Sequence, residues 1–117
     1  MYSNQYFETD LVNSYAWDTA ISYIQKCSED IDYSKQISLN KSMLNTGKTG
    51  DEKCKINDMS SNMEEWSTEY TNTGSPCTSR GGLFSSTTNS AAHRHNETAT
   101  ASYNYFSFRV ILYLQYE

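Results

Sequence analysis

The longest unbroken apolar run in this chain, residues 110–114, is only five residues long. Whatever it folds into must be assembled from shorter apolar pieces. A membrane-spanning helix needs roughly 20 consecutive apolar residues, so no helical span is expected. At 117 residues the chain is read as one small domain, 1–117, with a modest core. Charged residues make up 20%, and the polarity comes mainly from Ser, Thr and Asn, which argues against a highly charged disordered tail. The net charge of -5 comes without a Lys/Arg cluster, so the basic patch that neutralises phosphates is missing and nucleic acid is set aside as a partner. Ten tyrosines exceed the needs of so small a core, and the excess points to a recognition face, apolar at one end and wet at the other.

The first five residues carry neither a basic region nor an apolar stretch, so no secretion signal is read there. A cytoplasmic setting or association with a phage or cell surface is the expectation. Cys27, Cys54 and Cys77 are odd in number and widely spaced. They match neither a disulfide framework nor a CxxC motif. Three free thiols in a reducing compartment are expected, with one disulfide as the alternative.

The clearest periodicity predicts a helix over 13–27. Asn13 can cap it, and Trp17, Ala20, Ile21 and Ile24 recur on one face. From 28 to 55 the pattern dissolves into polar residues with scattered apolar anchors, which reads as a long irregular region. Residues 66–80 read as a hairpin, with turn chemistry at Thr71-Asn72-Thr73-Gly74-Ser75-Pro76. Gly81-Gly82 then marks a bulge or a close approach of two backbones. Residues 85–105 read as loop. Residues 106–114 are rich in β-branched and aromatic types and predict one strand able to sit centrally in a sheet. The fold class is α+β.

These landmarks resemble a family. Asp58-Met59-Ser60-Ser61-Asn62-Met63-Glu64-Glu65-Trp66 is similar to the D-x-x-G-N-V-W-E-W segment of formylglycine-generating-enzyme-like (sulfatase-modifying factor) domains. Arg80-Gly81-Gly82 resembles their RGG step, Arg94 a later arginine, and Phe108-Arg109-Val110 the closing G-F-R-V strand; the helix bearing Trp17 and Asp18 is similar to the one that precedes them. The resemblance covers about a hundred residues, the C-terminal part of such a domain, and implies a C-type-lectin-type fold. Ser61 and Ser107 stand where the family prefers glycine, and Glu64 where it often has tryptophan. The family's N-terminal strands have no counterpart ahead of Tyr2, which leaves a fragment, a reduced version, or a subunit completed by a partner chain or oligomer.

Under this resemblance Trp17, Asp58, Trp66, Arg80, Gly81, Gly82, Arg94, Phe108 and Arg109 are structural. Trp66, the only large apolar group of its acidic segment, reads as a core anchor rather than a ligand platform. Arg109 needs a buried partner, and Asp58 or Glu65 can supply it.

Catalytic family members bind copper through two cysteines after the RGG step, because copper(I) requires soft thiolates. This chain has no cysteine after Cys77, and Ser85, Ser86 and Ser90 fill that stretch, so no enzyme activity is expected. His93-x-His95 could present two imidazoles to a metal, but with no third ligand it reads as a solvated pair. Glu64, Glu65 and Glu69 could form an acid/base pair and read instead as a solvated or salt-bridged acidic face. Gly47-Lys48-Thr49 lacks the strand and first glycine of a phosphate loop. The family often holds calcium near its G-N-x-W-E-W segment, which places Asn62 and Glu65 as oxygen ligands.

Variable proteins of diversity-generating retroelements also resemble this family, with their diversified segment between the RGG step and the last strand. Residues 80–112 correspond to it. Adenine-directed mutagenesis yields Asn, Ser, Tyr, His, Thr, Asp and similar residues; the composition of 85–105 is of that type, and such short polar side chains with Tyr suit a paratope. Phe84, Asn89, His93, His95, Asn96, Tyr103, Asn104 and Tyr105 are therefore the expected ligand-binding residues for a protein or glycan. The alternative is an accessory subunit, or degenerate fragment, of a formylglycine-generating-enzyme-like enzyme.

Overall fold

The computed structural model describes residues 5–116. The chain is α+β, and its elements run β1 (Gln5–Leu11), α1 (Ser14–Cys27), a 3-10 turn (Tyr33–Lys35), β2 (Glu52–Lys53), β3 (Ile56–Asn57), β4 (Glu64–Tyr70), β5 (Cys77–Arg80), β6 (Arg94–Glu97), β7 (Phe106–Phe108) and β8 (Val110–Tyr116). β1 pairs antiparallel with β8, and β2 with β3. The principal sheet has the order β6-β5-β4-β7, with β7 parallel to β4 and the other pairs antiparallel. No helix among the described residues is long and apolar enough to cross a membrane.

α1 forms where its cap and spacing place it. Asn13 stays extended and its Oδ1 accepts the Ala16 N–H at 2.8 Å, satisfying one of the amides that a helix start leaves unpaired. Trp17, Ile21 and Ile24 are buried on one face, and the core closes over them with Val12, Tyr33, Met59 and Ala91. Trp17 is the centre of this core: its indole N–H donates to the Ala91 carbonyl at 2.9 Å, so a large ring is buried without an orphaned donor. The glycine pair explains itself against it. A Cβ on Gly81, which has φ +94, would lie 2.8 Å from both the Met59 oxygen and Trp17; on Gly82 it would lie 1.9 Å from the Ser60 oxygen. Two backbones touch there, and only glycine fits.

Three features depart from the sequence reading. Residues 106–114 are two strands, not one. The chain turns at Arg109, whose carbonyl takes the Val12 N–H while its guanidinium reaches Glu65, so β7 stays at the edge of the principal sheet and β8 leaves to pair with β1. Neither is central. The stretch 85–105 contains β6, an edge strand held by backbone pairing to β5 and therefore free to carry Arg-His-Asn-Glu. Finally, Cys27 and Cys54 form a disulfide and only Cys77 is free. The end of α1 and the β2–β3 turn bring their Cα atoms to 6.2 Å, within bridging range. With two of the three thiols oxidised, the cysteines do not point to a reducing compartment.

Much of what surrounds the apolar core is polar and internally bonded. Asp51 accepts the Tyr33 hydroxyl at 3.0 Å, the Gln36 amide at 3.1 Å and both the N–H and hydroxyl of Ser60 at 2.8 Å. Burial first, and then the Asp51 charge, push the Tyr33 hydroxyl well above its ordinary value, so it stays a donor. This network ties the irregular region before β2 to the Asp58–Asn62 turn.

Candidate functional site

The principal sheet has two faces. Cross-strand register sets Trp66, Ser79 and His95 side by side on β4, β5 and β6, and Glu65, Arg80 and Arg94 on the opposite face. The second face meets α1: Arg80, buried, pairs with Asp18 at 2.6 Å and its Nε donates to the His93 carbonyl. On the first face, away from the helix, the candidate site is built.

Its base is Glu64, 1% exposed. Its carboxylate accepts from Ser79 Oγ at 2.7 Å and Asn89 Nδ2 at 2.5 Å, and His95 Nδ1 lies 3.0 Å away. Its neighbour Glu65 points to the other face, where Arg109 holds both oxygens, at 2.8 and 2.9 Å. Burial works against the Arg109 charge, but the bonds and charge of Glu65, aided by Asp58, outweigh it and hold the guanidinium above its ordinary value. The solvated acidic face read from the sequence is thus corrected: Glu64 and Glu65 are buried and fully engaged on opposite sides of one strand. The salt-bridged description fits Glu65, paired with Arg109, and also Glu69. Glu69 accepts from the Ser14 hydroxyl and pairs with Arg94 at 3.1 Å.

His95 bridges base and rim, because its Nε2 lies 3.4 Å from Glu97. Beside it stands an aromatic cluster. Phe106 packs on Trp66 with ring centres 4.2 Å apart, on Tyr105 at 4.8 Å, on Tyr103 at 5.7 Å and within 6.2 Å of His95. Tyr103 and Tyr105 lie parallel, 5.0 Å apart with 4° between their planes, and Tyr103 is 49% exposed. Trp66, expected in the core, lies outside it and supports this shelf instead, because its place on β4 faces away from α1. The Tyr105 hydroxyl is held above its ordinary value by desolvation first, then by the negative fields of Tyr103, Glu64 and Glu97. His93 is held below the ordinary histidine value, mainly by burial.

Of the eight expected ligand-binding residues, Asn89, His93, His95, Tyr103 and Tyr105 come together here. Asn96 points to the other side of β6 and accepts from Thr78 Oγ1. Phe84 is half-buried beside the glycine pair, its amide bonded to the Asn62 carbonyl. Asn104 is exposed in the turn before β7. Glu64, Glu97 and Phe106 were not among the expected residues. Glu64 was hidden because its partners lie 15, 25 and 31 positions away.

The calcium ligands inferred from the resemblance do not fit that role. Both Glu65 oxygens are taken by Arg109, and Asn62 Oδ1 accepts the Leu44 N–H at 3.0 Å. Asn62 itself takes the left-handed conformation, φ 67, so the backbone does not demand glycine at Ser61. Among the described residues no three His, Cys, Asp or Glu side chains gather as a metal site. Phe108, expected to be structural, is 66% exposed and lines, with Asn57, Asp58 and Arg109, a recess of about 340 Å³. No family model matches the chain, and no curated protein or solved structure does either.

Proposed function

We propose that this chain is a non-catalytic recognition domain on a C-type-lectin-type scaffold, related to formylglycine-generating-enzyme-like domains, whose segment 80–112 is the diversified part of a phage or bacterial receptor-binding protein. The observation that carries the reading is the Tyr103–Tyr105 stack, exposed at Tyr103 and propped by Phe106 and Trp66 beside His95. Rigid stacked tyrosines offer contact area at low entropic cost, and histidine and short polar side chains around them supply adjustable hydrogen bonds. Protein or glycan surfaces are the ligands such a face suits. The absence of any cysteine after Cys77 in the sequence favours binding over the copper chemistry of the resembled family.

The test screens glycan and peptide arrays with the intact chain and with Tyr103→Ala/Tyr105→Ala. Ligands held by the first and lost by the second, at a nearly unchanged melting temperature, are the expected outcome. Equal binding by both would remove the site.

A second reading, an accessory subunit that completes another chain's domain, is favoured by the β1–β8 ribbon. Val110 and Leu112 are 55% and 61% exposed there. A cooperative folded monomer in sedimentation and thermal melts would count against it.

A further inference from the structure

The recognition face is acidic as well as aromatic. Glu97 on β6 is 23% exposed at its rim, and Glu64 lies beneath. The charged and titratable groups around them are few. His95 stands between the two carboxylates, His93 lies with its ring 6.3 Å from that of His95, and Tyr103 and Tyr105 close the side toward β7. The nearest arginines are engaged elsewhere: Arg80 with Asp18 on the α1 face, and Arg94, on that same face, with Glu69. An imidazole between two carboxylates neutralises at most one of them, so the face keeps a negative charge in either protonation state. Burial keeps His93 toward its neutral form, so it does not cancel that charge.

Resting on the recognition reading above, we infer that the partner presents a cationic side chain, arginine first, from an extended basic segment of a protein, laid on the Tyr103–Tyr105 stack with its charge toward Glu97. The guanidinium is planar and weakly hydrated, stacks on aromatic rings and accepts a carboxylate at its edge. The stack supplies the first contact and Glu97 the second. A neutral sugar would use the rings and leave the negative charge of the face unmatched; an acidic peptide would meet repulsion. Charge complementarity at the rim also sets the salt dependence: the pair is partly exposed, so screening at physiological ionic strength weakens it.

The experiment titrates the isotopically labelled full chain with a short peptide of alternating glycine and arginine, and with the same peptide carrying citrulline, the uncharged isostere of arginine. Nuclear magnetic resonance follows Tyr103, Tyr105 and His95. Arginine peptide is expected to move these signals, to bind more weakly as salt is added, and to lose about two- to fivefold in affinity in Glu97→Gln, the range of an exposed ion pair. Tyr103→Ala/Tyr105→Ala is expected to abolish the shifts. Equal binding of the citrulline peptide would overturn the cationic partner and leave the recognition face standing. Arginine-peptide binding that survives loss of both tyrosines would overturn the assignment, as mere attraction to a chain of net charge -5. Failure of both peptides to move the face likewise overturns it; if array ligands still depend on the tyrosines, only the cationic partner falls, and otherwise the recognition face falls with it.

Discussion

His95 Nδ1 sits 3.0 Å from Oε2 of Glu64, joining the rim of the sheet to a carboxylate that is 1% exposed. Each ring nitrogen of His95 faces a carboxylate, Nδ1 that of Glu64 and Nε2 that of Glu97. Three segments distant in sequence, β4, β5 and the stretch leading into β6, meet on the Glu64 side chain.

Truncating that side chain is the first prediction. Glu64→Ala strands Ser79, Asn89 and His95, and leaving buried polar groups unpaired costs on the order of 3 kcal/mol. Urea denaturation should show that loss, and amide exchange in β6 should quicken. A loss below about 1 kcal/mol would mean that water replaces the carboxylate readily.

Gly82→Ala should be among the most damaging single substitutions in the chain. Its Cβ would overlap the Ser60 carbonyl at 1.9 Å, a backbone atom that cannot rotate away. A loss of about 4 kcal/mol or more is expected, the range of exceptional steric lesions. Thermal melting monitored by circular dichroism reads it directly. Gly74→Ala, whose nearest neighbour is the Asn72 side chain at 3.5 Å, serves as the tolerated control.

Acid should weaken the fold through His93. The folded chain holds this imidazole below the ordinary value of 6.5, by burial first, with His95 and Arg80 adding to the effect and Glu64 opposing it. The unfolded chain then binds more protons, so stability rises with pH between the lowered value and 6.5, and is lost as pH falls through that window. His93→Asn should flatten this part of the profile. An unchanged slope would place the acid sensitivity elsewhere.

Reduction should cost more than its surface position suggests. The disulfide joins Cys27 to Cys54 across 27 residues of mostly irregular chain. Releasing a loop of that size returns about 3.5 kcal/mol of entropy to the unfolded state in the chain-entropy model. Equilibrium unfolding with and without reductant measures it, and a change under 1 kcal/mol would show that the Asp51 network alone orders the segment.

Calcium should do nothing to the melting midpoint. Glu65 would have to abandon two bonds to Arg109 before it could serve an ion, and Asn62 would have to release the Leu44 amide. A rise of several degrees in millimolar calcium would show that the ion wins that competition.

Local signals in the sequence were readable where one residue's role is decided by its neighbours. Asn13 before Trp17, Ile21 and Ile24 marks α1, and the turn residues ahead of Pro76 mark the β4–β5 connection. Gly81 and Gly82 announce a close approach without saying against what; the answer, Trp17 and Ser60, comes from distant segments. β6 was invisible because an edge strand held by backbone bonds needs no apolar alternation. The break at Arg109 was invisible because a run of β-formers says nothing about which sheet takes each half. In the site, tyrosines and histidines could be nominated from composition. Glu64 could not, since a buried carboxylate looks like a surface one until its donors arrive.

The β1–β8 ribbon has a consequence for how this domain can be carried. Gln5 lies opposite Tyr116, so the outer ends of β1 and β8 sit side by side. A host protein could receive the domain inside a single surface loop, since the two splice points already sit side by side and little closure entropy is added. The same ribbon would then serve as a two-stranded stalk.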